Sequence, residues 1–166
     1  MKTLRIGRIT ASDRASAGIY DDASGPEIED CVNALFPEFT RSWHRRLLPD
    51  EQNQIEAALI ELADKELCQL VITTGGTGPS IRDITPEATR SVLHKELPGF
   101  GEIMRVKSFD LMPTSILSRA TAGIRGACLM INLPGRPTAV SECLAILGEA
   151  IHKAVSILEK DAQNSA

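Results

Sequence analysis

Hydrophobic and polar positions alternate along the chain in two patterns. Short, largely apolar runs predict strands at TLRIGRIT, RSWHRRLL, QLVITT, TAGIR and ACLMINL. Between them, apolar residues recur at three- or four-residue spacing, which predicts amphipathic helices. The alternation predicts an α/β fold, a three-layer α/β/α sandwich with a mainly parallel sheet. The close spacing of the last two strands suggests that one strand is antiparallel.

The predicted helices begin at residues that favour helix starts. Ser24, Asp50 and Thr85 are placed as N-caps of three helices. A further helix covers FGEIMRVKSFDLM, and a closing helix runs from Pro137 to about Glu159. An apolar stripe on the closing helix is interpreted as core or subunit-contact surface: Val140, Leu144, Leu147, Ile151, Val155 and Leu158.

Length and charge limit the classes of function. The 166 residues predict one domain over residues 1–160 and a polar, disordered tail over residues 161–166. A net charge of −4 gives no general basis for binding nucleic acid, so an anionic ligand would need local arginines, main-chain amides or a metal. No stretch predicts a signal peptide or a membrane span, and four cysteines without CxxC spacing predict free thiols in a cytoplasmic protein.

Unusual polar and glycine residues follow the predicted strands. The carboxyl ends of parallel strands share one edge of a sheet, where ligands bind. We therefore expect four separate segments to meet there: Ser12–Arg14, Pro49–Glu51, Thr74–Gly78 with Arg82 and Asp83, and Asn132–Arg136.

The segment TTGGTG after the third strand favours an anion-binding loop. No Gly-Lys-Ser/Thr follows it, so it is not a Walker P-loop, and it also lacks the dinucleotide fingerprint. Its glycines allow positive φ and close approach of a ligand to the main chain. The alternative is a tight connection between a strand and a helix, which needs fewer glycines.

Asp50 and Asp83 are the candidate metal ligands at this edge. Each has a structural alternative, because Asp50 can cap a helix and Asp83 can stabilise a turn. Beside an anion-binding loop, two bare carboxylates would repel phosphate, and a bound Mg²⁺ would remove that conflict. Four arginines are candidates for phosphate contacts: Arg14, Arg82, Arg119 and Arg136.

Six motifs in order resemble the molybdopterin adenylyltransferases, the MogA-like family. They are SDRASAG, LLPDEQ, TTGGTGPSIRDITPEAT, PGFGEIMR, LSRATAGIRG and INLPGRP, which span nearly the whole chain. The resemblance implies transfer of AMP from ATP to the terminal phosphate of molybdopterin, with release of pyrophosphate. It also implies Mg²⁺, a homotrimer, and hand-over of the product to a molybdate-inserting enzyme.

The resemblance also assigns roles to residues. Asp50 and Asp83 match the family's paired acidic residues, with catalytic and metal-binding roles. The matched substrate-binding and phosphate-binding positions are Ser12, Asp13, Thr74, Gly75, Gly76, Thr77, Gly78, Ser118, Arg119, Asn132, Pro134 and Gly135. Arg82 joins this set as the phosphate contact already named from the residues themselves. Three alternatives remain: a MoaB-like protein that binds molybdopterin with little catalysis, a binding or scaffolding module, and a nucleotide-binding domain with another acceptor.

Overall fold

The computed structural model describes residues 2–164, and within them a six-stranded sheet forms the centre of the molecule. The strands are β1 (Thr3–Ala11), β2 (Thr40–Leu48), β3 (Leu70–Thr74), β4 (Lys95–Glu96), β5 (Ala122–Arg125) and β6 (Cys128–Leu133). Their order is β2-β1-β3-β6-β5-β4. β5 pairs antiparallel with both β4 and β6, and the remaining pairs are parallel. The predicted α/β fold with one antiparallel strand is confirmed.

Six α-helices surround this sheet in the described part of the chain. They are α1 (Asp13–Ser16), α2 (Ser24–Leu35), α3 (Gln52–Ile60), α4 (Thr85–Val92), α5 (Gly99–Phe109) and α6 (Pro137–Asn164). A π-helical turn (Glu61–Lys65) extends α3, and a 3-10 helix (Pro113–Leu117) follows α5.

The closing helix α6 is longer than predicted. It continues past Glu159 to Asn164, so residues 161–164 are helical and not a disordered tail. The intervening Lys, Asp, Ala and Gln include good helix formers and no breaker, which explains the continuation. Ser165 and Ala166 lie outside the described residues.

Two hydrophobic cores cover the two faces of the sheet. Successive strand residues point to opposite faces, and Leu70 and Ile72 lie in one core while Val71 lies in the other. The first core packs the sheet against α2, α5 and α6, and the second packs it against α3 and α4. The apolar stripe of α6 belongs to the first core, so its interpretation as core is confirmed.

The predicted N-caps are wrong in detail. Ser24 and Thr85 are the first residues of α2 and α4, and neither helix has a side-chain hydrogen bond from its capping residue. At α2, Asp22 Oδ1 accepts from the amide of Gly25 at 2.9 Å instead. Asp50 is not the cap of α3 either, because its carboxylate is directed to another loop, as described below.

Strand register aligns the strand ends that precede the unusual segments. Ala11 of β1 pairs with Leu48 of β2, and Thr74 of β3 pairs with Thr10 and Leu133. The segments after β1, β2, β3 and β6 therefore leave the sheet at one edge, as predicted. No helix in residues 2–164 is long and apolar enough to cross a membrane.

Candidate active site

Two pockets open at this edge of the sheet. The first, here called the polar pocket, has a volume of about 560 Å³ and is lined by Ser12, Asp13, Asp50, Gly75, Gly76 and Arg82 among others. The second, the apolar pocket, has a volume of about 310 Å³ and is lined by Thr77, Gly78, Met104, Met112, Leu117 and Arg136 among others. The glycine loop, residues 74–78, contributes to both walls and so lies between them.

Two glycines of this loop cannot be replaced without strain. Gly75 and Gly76 have φ of 91° and 62°, in the left-handed region. A Cβ on Gly76 would lie 2.4 Å from Thr85 Oγ1 and 3.0 Å from Asp50 Oδ1. The loop therefore passes directly beside a carboxylate, and a simple connection between strand and helix would not require that approach.

Asp50 presents a buried oxygen atom without a hydrogen-bond partner. Its Oδ2 accepts from the amide of Asp13 at 2.9 Å, and its own amide donates to Asp13 Oδ1 at 2.9 Å. Its Oδ1 is buried and accepts no hydrogen bond. Burial first, and then the charges of Asp13 and Asp83, raise the pKa of Asp50 against the effect of the Asp13 amide. A cation at Oδ1 would relieve both the burial and the repulsion.

Asp83 lies on the other side of the same loop. Its Oδ2 accepts from the amide of Ser80 at 2.9 Å, so the predicted turn role is real. A Cβ on Gly78 would lie 2.8 Å from this same Oδ2. Asp83 thus combines a turn contact with a position against the glycine loop, and its charge acts on Asp50.

The oxygen atoms at this site suit a hard cation such as Mg²⁺, which would take its remaining ligands from substrate and water. Thr85 Oγ1 is a second buried oxygen without a partner, and it adjoins Gly76 as Asp50 Oδ1 does. No group of three or more Asp, Glu, His or Cys side chains suited to a metal is found in residues 2–164. Mg²⁺ is commonly held by one or two carboxylates, with phosphate and water completing its shell.

Arg82 and Asp13 form an ion pair at the rim of the polar pocket. The guanidinium donates to both carboxylate oxygens of Asp13, at 3.0 and 2.9 Å, and to Glu51 Oε1 at 2.7 Å. The hydrogen bonds from Arg82 are the main cause of the lowered pKa of Asp13. Asp13 therefore holds Asp50 and Arg82 in place. An ionised, paired Asp13 does not suit the phosphate contact that the sequence suggested.

Asn132, predicted to bind substrate, does not reach either pocket. It is fully buried, and its amide donates to Thr73 Oγ1 at 3.0 Å and to Thr89 Oγ1 at 2.8 Å. These bonds join β6, β3 and α4 behind the site. Arg119 is also committed elsewhere, because its guanidinium donates to main-chain carbonyls of the glycine-loop region and to Glu87.

The remaining predicted residues do border the pockets. Ser118 and Pro134 line the apolar pocket, and Gly135 lines the polar pocket. Thr74 also lines the polar pocket, and its hydroxyl donates to the carbonyl of Pro134 at 2.7 Å. The structure therefore brings the segments after β3 and β6 together, as the sequence indicated.

Sequence reasoning missed Tyr20. Its hydroxyl is 2.8 Å from Ser12 Oγ, and the guanidinium of Arg14 lies 5.2 Å from the centre of its ring. All three residues line the polar pocket. Tyr20 is the only tyrosine of the chain and stands in a loop next to two aspartates, which is the signal that could have marked it.

Comparison with known proteins agrees with this arrangement. Residues 7–153 match the family described as "Probable molybdopterin binding domain". A Helicobacter pylori protein named molybdopterin adenylyltransferase is 48% identical over 158 residues, covering 95% of this chain and 89% of the relative. An Escherichia coli protein of the same name is 50% identical over 145 residues, covering 87% and 73%.

A solved structure has the same fold. The molybdopterin biosynthesis enzyme MoaB from Thermus thermophilus superposes with a TM-score of 0.82 at 36% identity, covering 93% of this chain and 96% of that one. The match to the family extends over most of the chain and includes the strand ends that form the two pockets. The chain therefore belongs to the molybdopterin-binding domain family of molybdenum cofactor biosynthesis.

Proposed function

We propose that this chain is a molybdopterin adenylyltransferase, which transfers AMP from ATP to the terminal phosphate of molybdopterin and releases pyrophosphate. The observation that carries the proposal is the unpartnered, buried Oδ1 of Asp50 beside a glycine loop that separates two pockets. Two substrates need two adjoining pockets, and a polyphosphate needs countercharge where they meet. Two relatives at 48% and 50% identity carry the name of this activity.

Asp50 and Asp83 would hold a Mg²⁺ ion, with Thr85 Oγ1 as a further oxygen beside it. When bound, the ion supplies positive charge that neutralises phosphate oxygens and the pyrophosphate leaving group. The protein's own contribution is a pair of carboxylates fixed in position before the substrates arrive, since Asp50 is held through Asp13.

The glycine loop would bring the reacting phosphates close to the main chain. Without side chains at Gly75 and Gly76, phosphate oxygens can approach the backbone. The phosphate of molybdopterin is itself a nucleophile, so no side chain needs to be modified covalently. The rate enhancement would come from alignment of the two substrates and from charge stabilisation in a fixed site.

A MoaB-like protein that binds molybdopterin with little catalysis is the second candidate. The similarity to a MoaB structure shows a shared fold, and this fold fits the binding protein as well as it fits the enzyme. The unpartnered Oδ1 of Asp50 favours the enzyme, because this oxygen lies beside the glycine loop, where a cation could offset the cost of its burial.

Release of pyrophosphate from ATP tests the two candidates directly. With Mg²⁺ present, release should require molybdopterin and should stop when the metal is chelated. Tight binding of molybdopterin without any release would support the binding protein. Release from ATP alone would instead indicate a different acceptor or simple hydrolysis.

We also propose that the chain assembles as a homotrimer, through a surface that differs from the one first expected. The stripe of α6 is used in the core, whereas α5 and the segment after it expose apolar side chains: Ile103, Val106, Phe109, Leu111, Ile116 and Leu117. Exposed apolar clusters of this kind mark interaction surfaces. Light scattering after gel filtration should give three times the 18.0 kDa of the chain, and Val106→Glu should lower that mass.

The product would pass to a molybdate-inserting enzyme, and we place the reaction in the cytoplasm. ATP is available there, and the four free cysteines of this chain would stay reduced. Co-purification of the adenylylated pterin with such a partner would test the hand-over.

A further inference from the structure

Arg119 makes a set of contacts that its predicted role as a phosphate ligand does not explain. It lies between the 3-10 helix (Pro113–Leu117) and β5 (Ala122–Arg125). Its Nε donates to the carbonyl of Gly78 at 2.8 Å, and its Nη2 donates to the carbonyl of Asp83 at 2.6 Å. Its own amide donates to the carbonyl of Thr77 at 2.8 Å. One residue therefore binds both ends of the segment 77–83.

The segment is also held by Arg82, whose guanidinium donates to Asp13 and Glu51, and by two hydrogen bonds within the segment. Within it, the amide of Ser80 donates to Asp83 Oδ2 at 2.9 Å, and the amide of Asp83 donates to the carbonyl of Ser80 at 3.0 Å. Ile81, at its tip, is 96% exposed and packs against nothing. Arg82 ties the segment to the polar pocket, whereas the guanidinium of Arg119 bonds to both Gly78 and Asp83 and so fixes the distance between them directly.

The same segment carries one of the two proposed metal ligands. Asp83 Oδ2 lies 2.8 Å from the position of a Cβ on Gly78, so the carboxylate rests against the loop that Arg119 holds. Thr77 and Gly78 also form part of the wall of the apolar pocket. A shift of the segment would move Asp83 and this wall together.

Arginine is required here because of its shape as well as its charge. Its planar group presents several donors in a fixed arrangement, whereas the ammonium of lysine is a compact charge on a flexible stem. Glu87, in the first turn of α4, accepts a hydrogen bond from Nη1 and balances the charge. The guanidinium therefore donates to two main-chain carbonyls and one carboxylate of the protein.

We infer that Arg119 is a positioning residue, which fixes Asp83 and the glycine loop relative to each other and does not bind phosphate itself. The inference rests on the proposed function for the role of Asp83, but the contacts of Arg119 do not depend on it. If so, Arg119, which lines neither pocket, sets the position of the proposed metal ligand Asp83.

Arg119→Lys tests the inference, with Arg41→Lys as the matched control. Arg41 also donates to a main-chain carbonyl, that of Phe36, and lies away from the site. Hydrogen exchange of the ligand-free protein should show faster exchange at the amides of Ser80 and Asp83 in Arg119→Lys only. Mn²⁺ binding, measured by electron paramagnetic resonance with α,β-methylene-ATP, should weaken about 10- to 100-fold, as for other residues that support metal ligands.

A second, milder variant distinguishes the loss of positioning from misfolding of the protein. Glu87→Gln leaves Arg119 in place but removes its countercharge, and we expect a smaller change in the same direction, about two- to fivefold in Mn²⁺ affinity. Unchanged amide exchange and Mn²⁺ affinity in Arg119→Lys, with weaker binding of the nucleotide analogue alone, would overturn the inference and make Arg119 a phosphate ligand. Faster exchange in a protein that never releases pyrophosphate would refute the proposed function and leave the positioning role intact.

Discussion

The two pockets share the glycine loop but are built in opposite ways. The polar pocket contains Asp13, Asp50 and Arg82, with one carboxylate oxygen left buried and unpaired. The apolar pocket is formed by side chains such as Met104 and Leu117 from α5 and the segment after it. An unpaired buried oxygen opposes folding, whereas apolar packing favours it. The polar pocket therefore carries a cost to folding where we place the chemistry, and the second pocket resembles a recognition surface.

Removing either proposed metal-binding carboxylate should have the largest effect: Asp50 lines the polar pocket, and Asp83 lies beside the glycine loop. Asp50→Asn and Asp83→Asn should each lower kcat by about 10²- to 10³-fold, because charge stabilisation of the reacting phosphates is lost. Asp21→Asn changes the same charge on the exposed rim of this pocket and should retain activity within about twofold. Pyrophosphate release measures all three. A normal kcat in Asp83→Asn, in a folded protein, would reduce Asp83 to a turn residue.

Filling the space beside Asp50 should have the next largest effect. Gly76→Ala places a methyl group 2.4 Å from Thr85 Oγ1 at a φ of 62°, which strains the backbone and crowds the metal position. We expect loss of metal binding and about 1–3 kcal/mol of stability. Gly135→Ala meets only the main chain of Gly75, at 3.4 Å, and should be nearly neutral. Calorimetry of Mn²⁺ binding and urea unfolding compare the two, and equal effects would contradict the special position of Gly76.

The ion pairs behind the polar pocket should make the stability of this region fall in acid, whereas the apolar pocket should be less affected. Glu29 accepts from Arg45 and Arg8 at 2.6 Å, and Arg8 also donates to Asp22 of the pocket at 2.8 Å. Hydrogen bonds from Arg45, and then Arg8, lower the pKa of Glu29 below its ordinary value of 4.5. This stabilisation is therefore present above that value and is lost as the pH falls through the lowered pKa.

Glu29→Gln should accordingly lower the unfolding free energy at pH 7 by about 1–2 kcal/mol, and the difference from wild type should shrink below about pH 4.5. Glu38→Gln provides the control, because its pair with His152 is half exposed, is screened by solvent and should contribute much less at pH 7 than the contacts of Glu29 do. Urea unfolding across pH measures both variants. A constant difference for Glu29→Gln down to pH 3 would show that its charge is not the cause.

The smallest effect is expected in the apolar pocket. Arg136 lines it together with Met112. Arg136→Ala should raise KM for one of the two substrates about three- to tenfold and leave kcat within twofold, since a single partly exposed charge aids binding more than chemistry. Arg136→Lys should recover most of the affinity. A fall in kcat with no change in KM would place Arg136 at the reacting phosphates.

Much of this arrangement could be predicted from the sequence. The alternation of apolar runs determines the sheet, and the position of glycines and aspartates after strands determines the edge where they meet. The partners of individual side chains could not be predicted. Asp50 has the sequence position of a helix cap, yet it binds the amide of Asp13, 37 residues away.

Arg119 and Asn132 show the same limit. Both stand in motifs near the predicted site, and both turn away from the pockets towards main-chain carbonyls or buried hydroxyls. Proximity in sequence to a binding segment does not distinguish a ligand-binding side chain from one that supports the segment. That distinction depends on rotamers and on partners brought together by the fold.

Adenylyl transfer at this site is tested most directly by following the α-phosphate of ATP. The protein is incubated with Mg²⁺, molybdopterin and ATP labelled at the α-phosphate, and the products are separated. We predict that the label appears on the pterin in an amount equal to the pyrophosphate released. Asp50→Asn should transfer the label about 10²- to 10³-fold more slowly, whereas Asp21→Asn should transfer it within about twofold of the wild-type rate. Label that remains in ATP, or that appears only as free AMP or ADP, would contradict adenylyl transfer at this site.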